Sequence, residues 1–182
     1  MKKLLSLLVM LMLSIALHAQ HNVTKFLGIP VDGTKTSMVK KLENKGFTYD
    51  VKRDKMLGEF NGGKVSITIV TYKNKVWRIA VGNKTGRRDE GQIKIMYNKL
   101  FQQFEDNSNY TISKTSHKLS DSEDISYEIS VHKKQYAATF YQLPYEGAQD
   151  RIVWFTIVKE YGEYYIMIFY ENENNASHGE DL

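Results

Sequence analysis

FLGIPVDGTKTSMVKKLENKGFTYD, residues 26–50, carries a turn, a helix and the start of a strand in one short run. Thr34 stands where a helix N-cap belongs, its hydroxyl able to accept from a backbone N–H a turn later, and Asp32-Gly33 before it supplies turn chemistry. The residues of LGIPVDG, 27–33, are thus explained as an irregular lead-in and capping turn, and the helix is expected to start at Lys35. Met38 and Leu42 share one face, while Lys40, Lys41 and Lys45 point elsewhere. Gly46 can take the left-handed conformation at a helix end, which places Phe47 against Leu42. From Phe47 the period changes to two: Phe47, Tyr49 and Val51 fall on one face and Thr48, Asp50 and Lys52 on the other. A helix hands over directly to a half-buried strand.

The same order recurs along the chain. Asn61-Gly62-Gly63 is a hairpin signal, because both central residues of a type I′ turn need positive φ. Val65, Ile67 and Ile69 then alternate with Ser66 and Thr68. Lys73-Asn74-Lys75 turns the chain into a strand over 76–82, with Trp77, Ile79 and Val81 on the face opposite Arg78. The polar stretch NKTGRR, 83–88, is the best candidate boundary. Beyond it Ile93, Tyr97, Leu100 and Phe104 make a helical stripe widened by Met96 and Phe101. Strands are expected over 110–116, 125–132, 136–142, 151–158 and 164–170, the clearest alternation being Ile125, Tyr127, Ile129 and Val131. The expected fold class is α+β: two successive helix-plus-antiparallel-meander units, residues 20–86 and 87–170, with helices packed on one face of a largely antiparallel sheet. The acidic end, 171–182, is expected to be a disordered tail.

The opening FLGIPVDGTK…KKLENKGF resembles a group of small, uncharacterised secreted proteins of Bacteroidetes-type bacteria, in which a G-I-P-[VI]-D-G turn precedes a short helix ending K-G-F. The resemblance covers the first third of the expected mature chain and extends to YNKLFQQFEDNSNY, residues 97–110, and implies no activity. The helix-then-meander order is also similar to halves of the beta-lactamase inhibitory protein and to BamE-like envelope domains, an architectural likeness only.

Lys2 and Lys3 followed by an apolar run to Leu17 have the parts of a secretory signal peptide, expected to span 1–19 with cleavage after Ala19. No further transmembrane segment is expected. The absence of cysteine excludes disulfides, thiolate metal sites and a thiol nucleophile. The net charge of +4 conceals a strong polarity: residues 20–88 hold 15 basic against 5 acidic residues, and residues 89–182 hold 8 against 16. The expected consequence is that the halves attract one another, that opposite ends of neighbouring molecules do, or that the basic half meets an anionic glycan or lipid surface; nucleic acid is not expected as a partner.

Catalytic signals are thin. His117 and His132 lack metal-ligand spacing, no serine sits in a G-x-S-x-G elbow, and the carboxylates Asp121, Glu123 and Asp124 occupy a polar loop with nothing apolar to raise a pKa. No enzyme activity, metal or cofactor is expected. Aromatic content stands out instead, with 12 tyrosines and 2 tryptophans. In the last two strands both alternating sets are apolar, Ile152 and Trp154 against Val153 and Phe155, and Tyr164, Ile166, Ile168 and Tyr170 against Tyr165, Met167 and Phe169. That pattern suits a fully buried strand or one whose second face meets a partner. The expected contact residues are Tyr141, Pro144, Tyr145, Trp154, Tyr164 and Tyr170, with 143–150 as a contact loop. The leading reading is an exported, periplasmic or secreted, non-enzymatic protein-binding module of the envelope. The alternative is a carrier for a small apolar or glycan ligand held between helices and sheet.

Overall fold

A computed structural model describes residues 23–83, 88–144 and 146–176. The expected signal peptide, residues 84–87 of the expected boundary, Tyr145 and residues 177–182 of the expected tail lie outside the described residues. The fold is α+β, with three α-helices among the described residues and one large antiparallel sheet.

The chain opens with a small hairpin, β1 (Lys25–Phe26) and β2 (Ile29–Pro30), turning at Leu27 and Gly28, both at positive φ. Helix α1 (Lys35–Glu43) follows, with the Thr34 hydroxyl accepting from Ser37 N. It ends as its sequence requires: Gly46 is left-handed at φ 91° and Phe47 N–H donates back to Leu42 O. The chain then runs through β3 (Thr48–Asp50), β4 (Lys55–Phe60), β5 (Gly63–Tyr72) and β6 (Lys75–Gly82). Next come α2 (Glu90–Glu105), β7 (Tyr110–Ile112), α3 (Ile125–Val131), β8 (Ala137–Gln142), β9 (Arg151–Glu160) and β10 (Glu163–Asn172). A capping box starts α2, in which Asp89 accepts from Gln92 N and Gln92 accepts from Asp89 N. Strand order across the sheet is β3-β4-β5-β6-β10-β9-β8-β7, so the last strand returns to the middle and pairs with β6.

One face of this sheet lies under the helices. Ile67, Ile69, Ile79, Val81, Phe155, Ile166 and Ile168 join Met38 and Leu42 of α1, Ile93, Tyr97, Phe101 and Phe104 of α2, and Ile125 of α3 in one buried cluster. Aromatic rings tie α2 to the sheet, Tyr97 edge-on to Phe155 and Phe104 stacked on Phe140. Phe47 lies over Gly58, where an added Cβ would come within 2.5 Å of the ring; the end of α1 is thereby set down on β4.

Three expectations are corrected. Residues 125–131 form a helix, not a strand. Asp124 accepts from Tyr127 N as its N-cap, and only Ile125 and Ile129 turn inward, whereas Tyr127 and Val131 are exposed. The alternation of β-branched residues is real, but no strand edge recruits it. The strand expected to end near Tyr170 continues through Glu171 and Asn172, both buried, and a 3₁₀ turn, Glu173–Asn175, follows. Two side-chain amides here find partners that composition does not reveal: Asn172 Nδ2 donates to Val31 O, and Asn175 Nδ2 to Val76 O. Residues 27–33, expected to be irregular, include the turn of the β1–β2 hairpin and all of β2. That hairpin is held by the Gln142 side chain, which donates to Lys25 O and accepts from Lys25 N, both at 2.7 Å.

Two measurements follow from this packing. Gly58→Ala forces the Phe47 ring aside and is expected to lower stability by about 1–3 kcal/mol, the range for overpacking. In denaturant titrations it should couple to Phe47→Leu, and strict additivity would refute the contact. Burial pushes the Tyr97 phenol up to about 12 and raises Tyr110 and Tyr170 above their ordinary value. The unfolded chain releases these protons from about pH 10. Between the two values the folded state therefore binds more protons, and stability falls as pH rises from about 10 to about 12. Thermal melts of Tyr97→Phe should show that fall lessened by about one proton.

Candidate functional site

The opposite face of the sheet follows from register. Residues paired across antiparallel strands share a face, so Phe169 beside Ala80 and Trp154, Met167 beside Gly82 and Thr156, and Glu171 beside Arg78 and Ile152 all point away from the helices. Tyr141, paired with Ile152, extends this face onto β8. Among the described residues no helix lies over it, and its side chains are half-buried by one another.

At its centre is a ladder of rings and one guanidinium. Val70 pairs with Arg78 and Thr71 with Val76, which leaves Trp77 as the extra residue of a β-bulge. The bulge turns Trp77 to the same side as Arg78, correcting the alternation that put them on opposite faces. The Arg78 guanidinium carbon lies 4.1 Å from the Trp77 ring and 5.2 Å from the Phe169 ring. Phe169 in turn stacks on Trp154 with ring centroids 4.1 Å apart and planes at 21°. Trp77, Arg78, Phe169 and Trp154 therefore form a continuous stack across β6, β10 and β9. Close approach at this point needs a small neighbour: a Cβ on Gly82 would meet Met167 Sδ at 2.8 Å.

The positive charge in the stack is balanced within the face. Arg78 Nη2 lies 2.5 Å from Glu171 Oε1, with side chains 29% and 7% exposed. The approach is off the hydrogen-bonding axis, so that Arg78 Nε and Glu171 Oε1 are both buried without a hydrogen-bond partner among the described residues. Proximity of opposite charges, rather than a bidentate fork, holds this pair. Its arginine comes from the basic half of the chain and its glutamate from the acidic half.

The five expected contact residues that the structure describes separate. Trp154 and Tyr141 belong to the open face. Tyr164 and Tyr170 do not: both are buried on the helix side, where Tyr164 donates to Ser126 Oγ at 3.0 Å and Tyr170 packs on Phe26. Their parity along β10 opposes that of Phe169, so they cannot share its surface. Pro144 is exposed, and its carbonyl accepts from the buried Arg151, which also donates to Gln142 O and Glu146 O. Arg151 sits on the helix-side face of β9, and Leu143 lines a cleft on that side, so Leu143, Pro144 and Glu146 are braced away from Trp154. Trp77, Arg78, Met167 and Phe169 are the site residues that sequence reasoning passed over. The apolar set at 165, 167 and 169 was the available signal, but a strand with two apolar faces does not say which is covered.

Among the described residues no cluster of three or more His, Asp or Glu is placed to hold a metal ion, and no helix is long and apolar enough to cross a membrane. Comparison with protein-family models, with curated proteins and with solved structures finds no match. The functional reading rests on the geometry of the faces.

Because Glu171 is buried, Arg78→Met leaves an uncompensated carboxylate and is expected to cost about 3 kcal/mol. Adding Glu171→Gln should recover a large part of that loss in denaturant titrations. A single variant within 0.5 kcal/mol of the parent would show that the pair is not a structural element.

Proposed function

We propose that this chain is an exported, non-enzymatic protein-binding module of the bacterial envelope, built from two successive helix-plus-meander units that meet at β6 and β10. Its partner docks on the uncovered sheet face. One observation carries the reading: the centre of that face is made of Trp77, Arg78, Trp154, Phe169, Met167 and Tyr141, the residue types enriched at the cores of protein interfaces. Stiff rings give large contact area at low entropy cost, and here they are already stacked before any partner arrives. The charges at the centre, Arg78 and Glu171, neutralise each other, which favours an apolar and aromatic protein surface over a polyanion. The order of elements supports the two-unit organisation, since α1 precedes β3 to β6 and α2 precedes β7 to β10, with α3 inserted between β7 and β8.

Site-specific photo-crosslinking in the native cells tests this. A benzophenone side chain at Thr139 or Thr156, on the open face, is expected to trap the same protein, while one at Ile95, 70% exposed on α2, does not. Purified partner should bind Trp154→Ala about thirtyfold more weakly, the loss of one anchoring aromatic of about 2 kcal/mol. Equal trapping from Ile95, or none from the sheet face, would remove the reading.

A further inference from the structure

A concavity lies on the other side of the sheet, away from the ladder. Between the β1–β2 hairpin and the C-terminal half of α2 is a cleft of about 620 Å³, within the range of small-ligand sites. Its floor is apolar and aromatic: Phe60, Leu100, Phe104, Ile168 and the rings of Tyr110 and Tyr170. The Tyr110 hydroxyl accepts from Gln142 Nε2 at 3.1 Å and its ring packs edge-on to Phe104, while the Tyr170 ring packs on Phe26, so these two rings are fixed in place. Its mouth is amide: Asn61, Gln103, Asn107, Asn109 and Gln142, with Lys25 the only charged residue in the lining among the described residues.

These amides are not equally free. Gln142 is committed to the Lys25 backbone, and Asn61 and Gln103 bond to each other at 2.8 Å, bridging the β4–β5 turn to α2. Asn107 Oδ1 accepts from Asn109 N and Nδ2, which leaves Asn107 Nδ2 and Asn109 Oδ1 without partners among the described residues. The same Asn61–Gln103 bridge also borders a smaller hollow of about 180 Å³ that continues along α2 past Met96 and Lys99.

We infer that this cleft binds a short neutral oligosaccharide. A primary amide both donates and accepts, and so does a sugar hydroxyl; a row of amides matches a row of hydroxyls without specifying charge. Aromatic rings on the floor suit the apolar C–H faces of pyranoses. A carboxylate or phosphate ligand would be expected to meet more than one cation, and a fatty ligand would leave Asn107 Nδ2 and Asn109 Oδ1 without water or a partner. The site is physically separate from the open face, so the outcome of either test leaves the other untouched.

The experiment uses the full mature chain and a panel of cellobiose, maltose, lactose and N,N′-diacetylchitobiose, with digalacturonate and decanoate as charged and apolar controls. Side-chain amide resonances are followed by NMR during titration. At least one neutral disaccharide is expected to give saturable shifts at Asn107, Asn109 and Gln103. Asn109→Ala, shown to be folded, should weaken that binding about tenfold, as loss of a ligand hydrogen bond does. Trp154→Ala, on the opposite face, should leave it unchanged. Absence of saturable shifts with every sugar, shifts confined to the sheet face, or preference for digalacturonate or decanoate would each overturn the assignment.

Discussion

Strand β10 is hydrogen-bonded along both edges, to β6 through pairs such as Ile168 with Val81 and to β9 through pairs such as Ile168 with Phe155. Its two side-chain sets are both apolar, so its register decides what each side of the molecule is. Even-numbered residues from Tyr164 to Tyr170 enter the core beneath α1 and α2, while Met167 and Phe169 face outward. A slip of one residue would exchange the sets and place Phe169 where Ile168 packs. The register is secured by neighbours that fit only one way. Gly82 admits Met167, and Arg78 reaches Glu171 across the same pair of strands.

This pairing also explains how a chain with such separated charge holds together. The basic first half and the acidic second half meet along the β6–β10 seam, and the Arg78–Glu171 pair crosses it close to the aromatic ladder. An ion pair shielded by Trp77 and Phe169 is screened less by salt than an exposed one, because the rings exclude water from it. The cost is two buried polar atoms without hydrogen bonds. Such a pair adds little net stability over an apolar alternative, but losing either partner is expensive, which makes it a specifier of register more than a source of affinity between the halves.

The helix-side cleft and the open face have different physical character for the same reason. On the helix side, α2 and the β1–β2 hairpin stand apart, and the gap between them exposes core aromatics rimmed by amides. On the open side, side chains cover only one another, and the surface is aromatic with a neutralised charge at its centre. A sheet with helices on one face alone necessarily has both kinds of surface.

Local chemistry was sufficient for much of this structure. Thr34 and Gly46 bound α1, the stripe of Ile93, Tyr97, Leu100 and Phe104 defines α2, and Asn61-Gly62 together with alternation in 65–69 gives the β4–β5 hairpin, because caps, turns and periods act within a few residues. The fold class, α+β with an antiparallel sheet, follows from those elements. Tertiary structure alone decided the rest. Residues 125–131 alternate like a strand but are helical, since the Asp124 cap and the burial of Ile125 and Ile129 hold the helix, and that burial is a tertiary contact. Trp77 joins Arg78 because a bulge against β5 rotates it, and a bulge is a property of two strands, not one. Tyr164 and Tyr170 went inward and Trp154 outward because period two defines two faces without ranking them. Which face is covered is fixed by where helices distant in sequence come to lie.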